Sequence, residues 1–158
     1  MKSPPLYLSN RLREVFTEGK WVTGSNWGDE IKDIDWQTAK TSVSGCNSIG
    51  LLTFHVLYYV KGISKVLEGG TLDISDKYSF DAPQIRSEED WDKLKSDFND
   101  SCCKIYKLVE QLEPAELDES FVQKEYGSLM RNIDVMIEHT YYHFGQLMLI
   151  KKILSEKP

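Results

Sequence analysis

Three histidines, His55, His139 and His143, are the residues of this chain best suited to chemistry, and they are all the histidines it contains. His139 and His143 stand four apart in His139-Thr140-Tyr141-Tyr142-His143. Four residues turn a helix by about 400° and raise it about 6 Å, so both imidazoles leave one face, one above the other. That is the spacing of helical two-histidine metal sites. His55 lies in a separate apolar helical pattern. Metal sites of the catalytic zinc type use three protein ligands and keep a position open for water or substrate. Helical bundles build such sites from side chains that project inward from facing helices. Taken singly, a histidine pair at this spacing arises by chance, and a lone histidine in an apolar helix is more often a hydrogen-bonded core residue. The coincidence carries more weight. All three fall within long apolar helices, and three imidazoles in one core would each need a polar partner.

Other side chains are candidates by their offset from these three. Gln146, one turn beyond His143, can act as a donor behind the site or as a substrate contact; its alternative is an exposed helix position. Tyr59, four residues after His55, can line the same pocket, or lie in the core with its hydroxyl paired. Tyr142 and Asn132 are weaker candidates of the same kind. The metalloprotease pattern is absent, because Thr140 stands where a Glu would follow the first histidine, and Glu138 points about 100° away. Cys46 precedes the His55 helix, where a helix N-terminus can lower a thiol pKa. It lies about 13 Å from His55 along the axis, too far for a dyad. With Cys102 and Cys103 it makes three cysteines, which cannot form a closed disulfide set, so reduced thiols are expected.

The elements that must position these residues are helices. A first is expected over residues 9–18, closed by Gly19. A short one is expected around residues 29–40, after a loop. A second long helix starts after Asn47 or Ser48 and stops before Gly69-Gly70, with Ile49, Leu52, Val56, Val60 and Ile63 at helical spacing. A third starts at Ser87 with a capping-box-like Ser87-Glu88-Glu89-Asp90 and stops before Pro114. The last starts near Ser128 and carries Ile133, Ile137, Phe144, Leu147 and Leu154. Short alternations at residues 72–74 and 121–124 do not amount to a sheet. The fold class is therefore all-α, a four-helix bundle in one domain over residues 1–158. About eighteen residues without helical pattern cross from the second long helix to the third. Loops of that length in a compact domain are usually functional or disordered. Tyr78 and Phe80 favour an ordered one.

Charge and composition narrow the function classes. The net charge of −6, with Lys151-Lys152 as the longest basic run, argues against a nucleic-acid partner. Trp21, Trp27, Trp36 and Trp91 show no basic-and-stacking pattern and suggest instead that the N-terminal loop packs on the bundle or on a partner. The longest apolar run, residues 49–60, falls short of the roughly 20 needed to cross a bilayer. Met1-Lys2-Ser3-Pro4-Pro5 leads into a polar segment with no apolar signal core, so a cytoplasmic location is expected.

His55 following Asn47-Ser48-Ile49, together with His139-Thr140-Tyr141-Tyr142-His143-Phe144-Gly145-Gln146, resembles the DinB/YfiT-like superfamily. Its members are four-helix bundles with one histidine on the second helix and a His-x-x-x-His pair on the last. Tyr78-Ser79-Phe80-Asp81-Ala82-Pro83, ahead of Glu88-Glu89-Asp90-Trp91, resembles its uncharacterised bacterial branches. The resemblance implies a divalent ion such as nickel or zinc held by His55, His139 and His143. It also implies a homodimer and a metal-dependent enzyme acting on a small molecule, with a low-molecular-weight thiol as co-substrate, in the manner of a thiol S-transferase. Two rival readings stay open: a metal-binding module without turnover, acting in stress response, and a bundle whose histidines are metal-free core residues.

Overall fold

The structure, a computed structural model, describes residues 3–22 and 24–156; Met1, Lys2, Thr23, Lys157 and Pro158, part of the expected span, lie outside the described residues. Among the described residues six α-helices carry the fold: α1 (Pro4–Arg13), α2 (Trp27–Ile31), α3 (Trp36–Lys40), α4 (Ile49–Leu67), α5 (Glu88–Glu110) and α6 (Leu129–Ser155). Among the described residues there is no strand, only an isolated antiparallel bridge between Ser120 and Ser128. The all-α expectation holds. No helix among the described residues is long and apolar enough to cross a membrane.

Two boundaries correct the sequence reading. The first helix starts at Pro4, not near residue 9. Proline's missing N–H and fixed φ suit the first turn of a helix, where that N–H would have no partner, so Pro4-Pro5 opens the helix. Past Arg13 the chain loosens into a π-helical turn, Glu14–Glu18, that buries Val15 and Phe16. The expected helix around residues 29–40 is two helices, because Asp35 caps α3 by accepting from the N–H groups of Gln37 and Thr38. The other starts follow their caps. Ser48 accepts from Leu51 N–H, Ser128 from Arg131 N–H, and Ser87 from Asp90 N–H. The Asp90 carboxylate completes the last of these by accepting from the Arg86 N–H.

α5 lies between α1 and α4, and α6 packs on α4 and α1. Ser9 Oγ, fully buried on α1, donates to the Tyr106 carbonyl of α5 at 2.8 Å. Arg11 of α1 pairs with Asp134 of α6 at 2.8 Å. The centre of the core is an aromatic group built around Trp27. Its ring stacks on Phe144 of α6 at 5.8 Å and meets Phe98 of α5 at 5.6 Å, and Phe98 in turn touches Phe16. The Trp27 indole N–H donates to Thr53 Oγ1 of α4 at 3.3 Å. One side chain of a short helix therefore ties α4 to α6 two residues from His55 and one residue from His143. Trp91 is also buried, donating to the Ile34 carbonyl, whereas Trp21 is 90% exposed.

The long connection is ordered along α4 and runs antiparallel to it. Ile74 packs on Gly62, so closely that an added Cβ there would stand 2.6 Å from the Ile74 Cδ1. Tyr58 OH both donates to the Ser75 carbonyl and accepts from its N–H. Tyr59 OH donates to Asp76, His55 meets Ser79, and Ile85 lies on Gly50 near the start of the helix. The connection thus reads residues 74–85 against residues 62–50 in reverse.

Candidate metal centre

α6 carries two stripes. Ile133, Ile137, Thr140, Phe144, Leu147 and Ile150 are buried in the core. Asn132, Val135, Met136 and His139 recur at i, i+3, i+4 and i+7 on a neighbouring face, which lines a cavity. His143 lies one turn further on and is buried. On α4, His55 is buried and Tyr59 is half-buried one turn along. Packing of α4 on α6 brings the three imidazoles together.

Each histidine offers a donor nitrogen within 4.8 Å of the other two. His139 Nε2 stands 3.2 Å from His55 Nε2 and 2.9 Å from His143 Nε2. Two nitrogens each about 2.1 Å from one ion are about 3.0 Å apart at a right angle and about 3.4 Å apart at the tetrahedral angle. The observed spacings suit a shared ion.

Each outer nitrogen of His55 and His143 faces an oxygen, which favours the tautomer protonated at Nδ1. His55 Nδ1 lies 3.2 Å from the Ser79 carbonyl, which can only accept, so this nitrogen carries the proton. His143 Nδ1 lies 2.7 Å from Gln146 Oε1 and donates to it. Both Nε2 atoms are thereby left as bare acceptors, and both face the Nε2 of His139. A single His139 proton serves one of them well, whereas a cation serves all three. An outer N–H given to a carbonyl or carboxylate is the usual support of a metal-ligating imidazole. Gln146, a candidate from its offset as a donor behind the site or a substrate contact, lies beside the His143 ring with its Oε1 facing Nδ1.

Burial lowers the pKa of all three histidines. For His139 the neighbouring His143 and His55 rings add to burial and bring it to about 4. The site therefore presents neutral imidazoles at neutral pH, the form that binds metal.

The connection after α4 supplies what the helices lack. The Phe80 ring lies flat on His55, with centroids 3.9 Å apart and planes 9° from parallel. Tyr59 meets the rings of both His55 and His139 edge-on at 5.1 and 5.2 Å. Its hydroxyl donates to Asp76 Oδ1 at 2.8 Å. Burial, and after it the bond to Asp76, push the Tyr59 phenol up, so it stays a donor. Tyr59 therefore lines the cavity, half-buried and outside the core, with its hydroxyl paired. Asn132 also lines the cavity, while its amide caps the Tyr126 and Ser128 carbonyls. Tyr142 is exposed and touches the triad only through the His143 ring edge. Sequence reasoning missed Ser79, Asp76 and the stacking of Phe80. The only local signal was the unusual length of the connection with two aromatic residues in it.

The triad opens on one side. His139 borders a cavity of about 550 Å³ lined by α4, α6 and residues 72–76, with Phe121 and Tyr126 also in its lining. The cysteines stay apart from the site: Cys102 is buried, Cys46 is exposed, and none is in a disulfide. Compared with known proteins, the chain matches no family model, no curated protein and no solved structure.

Proposed function

We propose that the chain is a DinB/YfiT-like four-helix bundle that binds one divalent ion, nickel or zinc, through His55, His139 and His143. In this reading it is an enzyme that activates a small molecule at that ion, with a low-molecular-weight thiol as co-substrate. The observation that carries the reading is the meeting of three neutral Nε2 atoms, two of them aimed by outer acceptors. A bound divalent ion supplies Lewis acidity, which lowers the pKa of a thiol or water and makes it nucleophilic at neutral pH. The chain's own residues do the rest. Ser79 and Gln146 orient two ligands, Phe80 shields His55 from water, and the cavity beside His139 leaves room for a substrate. That open side favours turnover over a closed structural or storage site, which would surround its ion with protein.

The reading extends to a homodimer. Val135, Tyr142 and Leu149 recur every seven residues on α6 and are 43%, 65% and 59% exposed. A second copy of α6 would cover that apolar stripe.

The test is metal content by elemental analysis of purified protein and of its His55→Ala and His139→Ala variants. One ion per chain in the wild type and none in the variants is expected. At a thousand-fold excess over Kd the ion should stabilise the fold by about 4 kcal/mol, or roughly 10 °C in Tm. A wild type that takes up no nickel, zinc or cobalt overturns the reading. In cobalt-loaded protein, a visible spectrum unmoved by thiols removes the transferase and leaves the non-catalytic metal-binding module.

A further inference from the structure

The cavity beside His139 has a charge pattern that selects its ligand. Its volume of about 550 Å³ falls in the range of small-molecule pockets. Ile63, Leu72, Ile74 and Met136 give it apolar lining. Tyr59, Phe121, Tyr126 and Asp76 also line it. Asp76 is the one Asp, Glu, Lys or Arg among the described lining residues. Two nearby cations are engaged elsewhere: Lys65 of α4 pairs with Asp73, and Lys77 of the connection sits over the Tyr78 ring. One oxygen of Asp76 accepts from Tyr59, and the carboxylate is otherwise exposed.

Away from the ion proposed at the histidines, an anionic group would meet a like charge here and no lining Lys or Arg. A cationic group would meet a carboxylate held in place by Tyr59, with aromatic faces beside it that favour cations. We propose that this cavity binds a small molecule with an ammonium group and an apolar body. The ammonium sits at Asp76, and the body lies along Ile63 and Met136 toward His139. This names the ligand class of the site proposed above. It rests on that reading only for the ion, since Asp76 and the cavity walls exist without it. Among thiols, an aminothiol fits, whereas a thiol peptide bearing free carboxylates faces Asp76 with no lining Lys or Arg to pair them.

The experiment is calorimetric titration of chelator-treated, metal-free protein with n-hexylamine, 1-hexanol and hexanoate at neutral pH. Without metal the amine cannot bind by coordination. Hexylammonium should bind about tenfold or more tighter than hexanoate. Asp76→Asn should weaken hexylammonium by about fivefold, the loss of one partly exposed ion pair, and leave hexanol unchanged. Ser75→Lys, an exposed position on the cavity rim, should shift the preference toward hexanoate. Metal uptake by both variants, measured in parallel, separates loss of the amine site from a disturbed histidine cluster. Hexanoate binding as tightly as hexylammonium, an amine affinity indifferent to Asp76→Asn, or no binding of any of the three overturns the proposal. Intact metal binding with no amine binding sinks the ligand class alone. Amine binding without metal uptake sinks the metal reading alone.

Discussion

The Phe80 ring lies parallel to the imidazole of His55 at 3.9 Å, placed there by a connection that the Ser79 carbonyl fastens to the same imidazole. One face of His55 is thus closed to water, and its Nδ1 proton is directed away from the other histidines. Groups that aim a ligand in this way typically govern metal affinity more than fold stability. Phe80→Ala should weaken metal binding by about tenfold, and Gln146→Leu by about tenfold to a hundredfold. Competition against a chromophoric chelator measures both. Wild-type affinity in Gln146→Leu would show that the His143 orientation is set by packing alone.

The metal-free protein should grow less stable as the medium is acidified through the histidine range. The His139 pKa is lowered from 6.5 to about 4 by burial and then by the His143 and His55 rings. Between those values the unfolded chain holds a proton at this position and the folded chain does not. Unfolding then takes up a proton, so stability rises with pH across the window and is lost as pH falls. His55 and His143, also lowered by burial, act in the same direction. Urea midpoints of the wild type and His139→Gln, compared between about pH 6.5 and 4, isolate the contribution as the difference between two slopes. Identical slopes count against it.

Two glycines should respond in opposite ways to one added methyl. At Gly62 a Cβ would stand 2.6 to 3.0 Å from three side-chain carbons of Ile74. Gly62→Ala should push the connection off α4 and cost about 1–3 kcal/mol, with a fall in metal affinity as Ser79 and Phe80 shift. At Gly145, exposed on α6, a Cβ meets nothing within 4 Å. Gly145→Ala should stabilise the protein by about 0.5–1 kcal/mol through helix propensity and leave metal binding unchanged. Thermal melts with and without nickel check both. A neutral Gly62→Ala would show that Ile74 yields without moving the connection.

Trp27 should govern both stability and the register of the histidines. It spans Thr53 of α4, two residues before His55, and Phe144 of α6, next to His143. Trp27→Ala should cost roughly 3–5 kcal/mol through the cavity it leaves. Trp27→Phe keeps ring contacts but loses the N–H to Thr53, whose hydroxyl still donates to the Ile49 carbonyl, and should cost about 1 kcal/mol. Denaturant titration gives both values. An Ala variant as stable as the Phe variant would place the core's anchor elsewhere.

The helices and the histidines they carry were determined by the sequence itself. Ile49, Leu52, Val56, Val60 and Ile63 repeat with the helical period, Ser48, Ser87 and Ser128 cap the turns that follow them, and four-residue spacing puts His139 and His143 on one face. These are local properties, written within one or two turns of chain, and they needed no knowledge of what the helices touch. Tertiary structure alone decided that His55 meets His139 across 84 residues of sequence, and that Ser79, 24 residues from His55, holds its outer nitrogen. It also decided that Asp76 bonds Tyr59 beside the cavity, 17 residues away in sequence. The connection that provides Asp76, Ser79 and Phe80 has no repeating pattern. Its path is set by single contacts such as Ile74 on Gly62, where a missing side chain leaves the space. Such contacts depend on shape between distant segments, and no periodicity in the residues records them. The early start of α1 was legible and was missed, because Pro4-Pro5 reads as a helix breaker until it is placed in a first turn, where the missing N–H costs nothing.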